Sequence, residues 1–90
     1  MAQVVWTDRA LADVEAIYRW IAHDRPLAAQ RMAERLLAAG DRLESNPLRG
    51  RAIARGRREL VFVRPYLIRY RIEPERVLIL GVRHGARRPD

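Results

Sequence analysis

The residues best able to do chemistry in this chain lie in its last third, between Arg57 and Arg88. That stretch carries nine arginines and one of the two histidines. A guanidinium group is permanently charged and can bind a carboxylate or a phosphate through two parallel hydrogen bonds. A histidine has an unperturbed pKa of about 6.5 and can transfer a proton near neutral pH. The residue types therefore predict an anion-recognising surface, with His84 as either an acid–base group or a structural, partner-contacting side chain.

Several other kinds of site are not indicated. The chain contains no cysteine, which excludes a disulfide framework, a thiolate metal site and a cysteine nucleophile. His23 and His84 are far apart in sequence and neither has carboxylates at ligand spacing beside it, so no metal site is expected. The loop from Pro47 to Gly56 is rich in glycine and arginine but lacks lysine and the spacing of a phosphate-binding P-loop. We therefore predict neither a cofactor nor a bound metal.

The charge balance indicates an anionic partner. The chain has 90 residues, a hydrophobic fraction of 49% and a formal net charge of +7, and all 18 basic residues are arginine. Nucleic acid or an acidic protein is the expected partner, although a GC-rich coding bias would also produce an arginine- and alanine-rich chain. The N-terminus lacks a signal-peptide pattern, and no apolar run approaches the roughly 20 residues that span a bilayer. We therefore expect a cytoplasmic protein with no membrane contact.

The first half of the chain predicts a strand followed by two helices. Gln3 to Trp6 is a short β-prone run that fits an edge or parallel strand, and Thr7 fits a helix N-cap. Apolar residues then recur at three- and four-residue spacing until the helix ends near His23. A second helix opens at residue 24 or 25, with Pro26 in its first turn, and ends at Asn46-Pro47. The short connection makes the two helices an antiparallel αα-hairpin.

Three strands follow, at about Arg57–Val63, Tyr66–Ile72 and Val77–His84. Alternating apolar residues and turn signals at short intervals are typical of an antiparallel meander. The chain is therefore predicted to be one α+β domain over residues 1–90, with the order β-αα-βββ and the helices packed on one face of the sheet.

Alternation along these strands divides the side chains between two faces. The face expected beneath the helices is uncharged and carries Val61, Val63, Tyr66, Ile68, Tyr70, Ile72, Val77 and Ile79. The opposite face is apolar with a charged rim and carries Leu60, Phe62, Leu67, Leu78, Leu80, Val82, Arg58, Arg69, Arg71 and His84. Because one helical layer covers only one face, the second face is expected to stay open and to bind a partner. A slip of one residue in the register would exchange the two faces.

Six short motifs occur in order along the chain. They are W-T-x-x-A-x-x-D at Trp6–Asp13, N-P-L-x-G at Asn46–Gly50, R-E-L-V at Arg58–Val61, Y-L-I-x-Y-R at Tyr66–Arg71, V-L-I-L-x-V at Val77–Val82 and H-G-A-R at His84–Arg87. Their order and spacing resemble the RelE/ParE superfamily of toxins from bacterial type II toxin–antitoxin pairs, over nearly the whole chain. The H-G-A-R motif after its strand is most similar to the ParE and plasmid-stabilisation branch.

The resemblance implies a toxin that a cognate antitoxin neutralises. Such antitoxins commonly combine a ParD-like, DNA-binding dimerisation domain with a tail that folds over the toxin, so operator DNA would be bound only through the antitoxin complex. Apolar side chains and carboxylates of that tail would fit the predicted open face. The predicted antitoxin-binding residues are Leu60, Phe62, Leu67, Arg69, Arg71, Leu80 and Val82.

The resemblance leaves more than one activity open. ParE-like members inhibit DNA gyrase by binding, and this is the favoured function. RelE-like members cleave mRNA on the ribosome, and for that reaction Arg58, Arg69 or Arg87 would stabilise charge while His84 or Glu59 would transfer a proton. RelE-type sites tend to use lysines and a tyrosine near the C-terminus, whereas this chain has no lysine and places Gly85 after His84. A non-toxic partner-binding module is the third possibility.

Two smaller features allow two interpretations each. Glu59 neighbours Arg58 in a strand and therefore points to the other face, which favours a structural partner for a basic neighbour over a catalytic base. The arginines at positions 49, 51, 55 and 57 crowd one loop and the start of a strand. They are either a solvated loop or a contact with gyrase or nucleic acid.

Overall fold

The computed structural model describes residues 3–61 and 64–85. In chain order its elements are β1 (Gln3–Trp6), α1 (Asp8–Ala22), α2 (Pro26–Asp41), β2 (Arg51–Ala52), β3 (Arg57–Leu60), β4 (Tyr66–Glu73) and β5 (Arg76–His84), with 3₁₀ helices at Arg42–Glu44, Pro47–Arg49 and Ala54–Gly56. The strands form one sheet in the order β1-β5-β4-β3-β2. Strand β1 runs parallel to β5, and the other neighbours are antiparallel. The predicted α+β architecture, with two helices before an antiparallel meander, is confirmed.

Thr7 and Asp13 dock α1 onto β5. The Thr7 hydroxyl accepts a hydrogen bond from Ala10 N at 3.1 Å, as predicted for an N-cap, and donates one to Ile79 O at 2.8 Å. Asp13 Oδ2 accepts a hydrogen bond from Val82 N at 2.9 Å. Because both side chains bond backbone groups of β5, they fix where the helix lies along the strand.

Trp6 and Gly40 set the close approach of α2 to β1. A Cβ atom on Gly40 would overlap the indole ring of Trp6, so only glycine allows this contact without a shift. The Trp6 Nε1 donates a hydrogen bond to Asp41 Oδ1 at 3.0 Å, which ties the end of α2 to the same strand. The edge strand β1 therefore holds the end of α2 over the sheet.

The core lies between the helices and one face of the sheet. Its largest fully buried side chains are Tyr70, Leu36, Leu43, Ile68, Ile79 and Val77. Five of the residues predicted beneath the helices belong to this core: Tyr66, Ile68, Tyr70, Val77 and Ile79. Of the other three, Val61 and Ile72 are exposed, and Val63 lies outside the described residues.

Tyr70 holds the loop after α2 against the middle of the sheet. Its hydroxyl donates a hydrogen bond to Pro47 O at 2.6 Å and accepts one from Gly50 N at 2.8 Å. A Cβ atom on Gly50 would lie 2.7 Å from the Tyr70 ring, so the loop can approach this closely only with glycine there. Burial raises the pKa of Tyr70 above its ordinary value of 10.0, although the Gly50 hydrogen bond and the nearby charge of Arg58 act in the opposite direction.

The predicted register between β3 and β4 is wrong by one residue. A tight turn at Arg64-Pro65 would set Val61 opposite Ile68, but the structure pairs Leu60 with Ile68 and Arg58 with Tyr70. The connection is longer than two residues, so every side chain of β3 changes face. Leu60 and Arg58 therefore lie on the helix-covered side, and Leu60 is a core residue with 5% of its surface exposed.

A β-bulge in β5 reverses the predicted faces in the second half of that strand. Arg69 pairs with Gly81 but Tyr70 pairs with Ile79, which leaves Leu80 as the extra residue. Beyond the bulge, Val82 pairs with Ile68 and His84 pairs with Tyr66. Both were predicted on the open face and instead lie on the helix-covered side, where Val82 belongs to the core.

The face away from the helices, called the open face below, is consequently different from the predicted one. It carries Val5, Arg57, Glu59, Leu67, Arg69, Arg71, Leu78, Gly81 and Arg83. The predicted placement of Leu67, Arg69 and Arg71 on this face agrees with the structure, because β4 alternates regularly. The new members bring a carboxylate and a further guanidinium group into the middle of the face.

The arginine-rich loop predicted at Pro47–Gly56 contains a strand that the sequence pattern does not reveal. β2 pairs with β3 through Arg51 opposite Glu59 and Ala52 opposite Arg58. The Ile53 N donates a hydrogen bond to Arg57 O at 2.8 Å, which closes a hairpin whose tip is Ala54–Gly56. This hairpin forms the edge of the sheet opposite β1.

Candidate functional site

Glu59 stands at the centre of a cluster of arginines on the open face. Its carboxylate accepts hydrogen bonds from Arg69 Nη2 at 3.0 Å, Arg83 Nη2 at 3.2 Å and Arg51 Nη2 at 3.3 Å. These arginines come from β4, β5 and β2, so the cluster joins four strands through one acid. We call these four residues the Glu59 cluster. With three cations around one carboxylate, the cluster keeps a positive charge and can attract a second anion.

The arginines keep Glu59 ionised although the residue is only 3% exposed. Burial by itself would raise the pKa of Glu59, but the hydrogen bonds from Arg69, Arg83 and Arg51 outweigh it and lower the pKa below the ordinary value of 4.5. This geometry agrees with the prediction that Glu59 is a structural partner of basic residues. An ionised carboxylate that already accepts from three guanidinium groups is poorly placed to act as a general base.

The surroundings of the Glu59 cluster combine apolar side chains with cationic ones. Leu67 is buried, Leu78 and Leu80 are half-buried, and Arg71 is exposed. Arg69 Nε is buried and has no hydrogen-bond partner among the described residues. Such a surface suits a partner that brings both apolar groups and carboxylates.

The predicted antitoxin-binding residues divide into three groups. Leu67, Arg69 and Arg71 lie on the open face, and Leu80 lies at the bulge beside it. Leu60 and Val82 were placed on the open face by parity, and that placement is wrong because both are buried under the helices. Phe62 lies outside the described residues, so its prediction is untouched by the structure.

His84 lines a cleft at the end of α1. Its ring meets that of Tyr66 edge to face, with 5.5 Å between the ring centroids and an angle of 83°. The cleft has a volume of about 170 Å³ and is lined by Asp13, Ala16, Trp20, Tyr66, Val82, Arg83 and His84. Trp20 is 80% exposed at its mouth. We call this feature the histidine cleft.

Arg58 occupies a different place and has a structural contact. Its Nη1 donates hydrogen bonds to Gly50 O at 2.7 Å and to Leu48 O at 3.4 Å, and so holds the loop that precedes the hairpin. Arg58 pairs with Tyr70, while His84 pairs with Tyr66 on the other side of β4. With a rise of about 3.3 Å per residue and about 4.8 Å between strands, their Cα atoms lie roughly 16 Å apart. Arg87, the third predicted catalytic residue, lies outside the described residues.

The structure therefore does not bring Arg58 and His84 together. It assembles Arg69 instead with Arg83, which no predicted site contained, and with Arg51, which was predicted only as part of the arginine-rich loop. A signal for Arg83 exists in the sequence, since a glycine inside a strand such as Gly81 often marks a bulge. No comparable signal exists for Arg51, because its strand has only two residues.

Within residues 3–61 and 64–85, no group of three or more His, Cys, Asp or Glu side chains could hold a metal ion. Neither α1 nor α2 is long and apolar enough to cross a membrane.

Comparison with known proteins gives consistent matches over nearly the full length. The family model described as the ParE toxin of the type II toxin–antitoxin system parDE matches residues 4–89. Toxin RelE2 of Caulobacter vibrioides is 55% identical over 87 residues, which cover 97% of this chain and 99% of that protein. Toxin RelE3 of the same organism is 30% identical over 91 residues, covering 98% and 99%.

A solved structure agrees with the sequence matches. The structure of a chromosomal ParDE toxin–antitoxin system from P. aeruginosa superimposes with a TM-score of 0.84 and 26% sequence identity, over 93% of this chain and 96% of that chain. The six motifs described above all fall within the residues that the family model matches. The chain is accordingly a member of the ParE toxin family, the toxin component of a type II toxin–antitoxin system.

Proposed function

We propose that this toxin inhibits DNA gyrase by binding to it and performs no chemistry of its own. The observation that carries the proposal is that Arg58 and His84 serve different places: Arg58 Nη1 donates hydrogen bonds to Gly50 O and Leu48 O, whereas His84 lines the histidine cleft. Strand spacing puts their Cα atoms roughly 16 Å apart. General acid–base catalysis needs its groups within hydrogen-bond reach of one substrate, and this pair is too far apart for that. Similarity to the ParE branch supports gyrase as the target, which would place its action in the cytoplasm.

A supercoiling assay tests this proposal. Purified full-length protein is added to gyrase, ATP and relaxed plasmid, and supercoiled product is measured on a gel. We expect inhibition by the wild-type chain and equal inhibition by His84→Ala, because a binding inhibitor does not need a proton-transferring group. Unchanged supercoiling at a large molar excess of toxin rejects gyrase as the target.

Membership of the family implies an antitoxin partner, and we propose that it is ParD-like and covers the open face. Its carboxylates would meet Arg71 and the exposed part of the Arg69 side chain, and its apolar side chains would meet Leu67, Leu78 and Leu80. In support, the structural neighbour comes from a ParDE toxin–antitoxin system. The net charge of +7 also favours an acidic tail. Sequence-specific operator binding is proposed only for the complex with the antitoxin.

A charge reversal tests where the antitoxin binds. Arg71→Glu should weaken antitoxin binding and leave cells that co-express the pair sensitive to the toxin, because it places like charges opposite each other. Arg31→Glu, on the exposed side of α2, changes the net charge equally and is the matched control. If the antitoxin restores growth equally well with Arg71→Glu and with Arg31→Glu, it does not bind at Arg71.

The second candidate is a ribosome-dependent mRNA endoribonuclease. Its support is that the two Caulobacter vibrioides relatives are named RelE toxins. The absence of lysine from the chain stands against it. If it is correct, mRNA in a translating extract is cut at the ribosomal A site, and His84→Ala combined with Arg58→Ala abolishes the cutting.

A non-toxic partner-binding module is the remaining alternative. It predicts that expression of the chain without an antitoxin leaves growth unchanged. Reporters for DNA damage and for translation arrest, read in the same induction experiment, separate all three functions.

A further inference from the structure

We propose that the hairpin at the β2 edge of the sheet binds the phosphate backbone of duplex DNA. This segment, residues 49–58, is called the arginine hairpin and contains five arginines in ten residues. Its sequence is RGRAIARGRR, and no acidic residue occurs from position 45 to position 58. A patch of one sign on a projecting edge is the electrostatic footprint of a polyanion-binding surface.

The hairpin is a defined structure that can present its arginines in fixed positions. Ala52 pairs with Arg58, and the Ile53 N donates a hydrogen bond to Arg57 O at 2.8 Å. Across the tip, Arg57 Nε donates a hydrogen bond to Ala54 O at 3.1 Å. Since β2 is the last strand of the sheet, no strand covers the outer side of the hairpin in the described residues.

Arg55 lies at the tip, and neither its backbone conformation nor its contacts account for an arginine at this position. Its backbone has φ 65° and ψ 33°, and the next residue, Gly56, also has a positive φ of 70°. Glycine adopts this left-handed conformation freely, whereas a side chain such as arginine is disfavoured there. Arg55 is exposed and makes no hydrogen bond or ion pair with any described residue. An unfavourable residue with no internal contact points to an external ligand.

The chemistry around the tip favours nucleic acid over protein as that ligand. Ala54 and Gly56, which flank Arg55, are small and exposed, and the nearest aliphatic side chain, Ile53, is half-buried, so the tip presents no fully exposed aromatic or large aliphatic anchor. Protein interfaces depend on such anchors in their buried centre. Binding to DNA phosphates needs only positioned cations, and the groove of about 12 Å between the two backbones admits a two-stranded ribbon.

This inference goes beyond the proposed function and does not depend on it. Phosphate contacts carry no base sequence, so they are compatible with operator recognition through the antitoxin alone. If gyrase is the target, the same contact would reach the DNA that gyrase holds. The binding test contains no gyrase, and its outcome is therefore separate from that of the supercoiling assay.

The test measures binding of the purified chain to a short fluorescent duplex by anisotropy over a range of salt concentrations. The informative variant is Arg55→Gln, and the matched control is Arg31→Gln, which removes the same charge from an exposed side chain on α2. We expect Arg55→Gln to weaken binding several-fold at low salt and to reduce the slope of log K against log salt by about 0.9, the value for one lost phosphate contact. Arg31→Gln should leave the slope unchanged, and Arg55→Lys should keep most of the binding.

A second variant separates charge from folding. Arg55→Gly removes the cation and suits the left-handed backbone, so the hairpin stays formed. It should lose DNA binding as Arg55→Gln does. Its circular dichroism spectrum should match that of the wild type, and its Tm should be no lower. Equal losses of DNA affinity in Arg31→Gln and Arg55→Gln would overturn the proposal, because they would show that DNA is attracted by the net charge of the protein and not by the hairpin. Undetectable DNA binding, or tighter binding to an RNA of equal length, would overturn it as well.

Discussion

Replacing Glu59 with glutamine tests directly how the open face is held together. The wild-type carboxylate is buried and accepts hydrogen bonds from Arg51, Arg69 and Arg83. Glutamine has nearly the same shape, but it is neutral and turns one acceptor into an N–H donor that faces a guanidinium group. The substitution therefore removes the negative charge at the centre of the cluster without opening a cavity.

The size of the effect follows from the burial of each partner. The Arg51 side chain is 71% exposed, so its ion pair falls in the surface range of about 0–1 kcal/mol. The Arg69 and Arg83 side chains are 19% and 23% exposed. Removing one member of a buried ion pair costs about 3–5 kcal/mol, and glutamine keeps one acceptor oxygen. We therefore expect Glu59→Gln to lower the free energy of unfolding by about 2–4 kcal/mol, or roughly 10–25 °C in Tm.

Urea unfolding followed by circular dichroism at neutral pH measures this loss. The matched control is Glu15→Gln, because Glu15 forms an exposed ion pair with Arg19 on α1. That control should cost less than about 0.5 kcal/mol, the usual value for such a helix pair. If Glu59→Gln costs no more than Glu15→Gln, the three arginines do not depend on the carboxylate and the reasoning is refuted.

Three further predictions concern the same framework. The free energy of unfolding should decrease in acid, because the lowered pKa of Glu59 contributes stability that is present above pH 4.5 and is lost as the pH falls through the folded-state pKa. Glu59→Gln should reduce this decrease of Tm with falling pH in thermal melts recorded across pH. An unchanged decrease in the variant would contradict the assignment to Glu59. Tyr70→Phe should cost about 1–3 kcal/mol in urea unfolding, since one buried and one half-buried backbone group lose their partner, whereas Tyr18→Phe at an exposed position should cost almost nothing. Thr7→Ala should cost about 1–2 kcal/mol in the same assay and Thr7→Ser much less, because serine keeps the capping hydroxyl; equal losses would exclude the cap as the cause.

Much of the architecture could be predicted from the sequence because local signals agree with each other. The capping threonine, the proline in the first turn of α2 and the three- and four-residue apolar spacing all indicate the same helices. Strand β4 alternates clearly between apolar and basic residues, so the positions of Leu67, Arg69 and Arg71 followed from parity alone. The faces of these three residues depend only on the alternation within β4, so they could be predicted without knowing how β4 pairs with other strands.

The errors arose where the apolar pattern has no period. Leu60 to Val63 and Val77 to Leu80 are continuous apolar runs, and either parity satisfies such a run. The faces of β3 and of the end of β5 then depend on the length of a connection and on a bulge, which are set by packing between strands. The Glu59 cluster could not be predicted for the same reason, because its four members lie in four strands whose order and register must be known first.

The parallel pairing of β1 with β5 has a consequence for biosynthesis. The first strand to leave the ribosome has only the last strand as its neighbour in the sheet, and Thr7 and Asp13 also need backbone groups of that last strand. While the chain is still being translated, the N-terminal segment therefore lacks the surface on which it folds, and contacts of this sequence separation form slowly. A nascent chain cannot assemble the complete sheet before β5 emerges. An interrupted translation product that ends before β5 would therefore be an unfolded, non-toxic fragment.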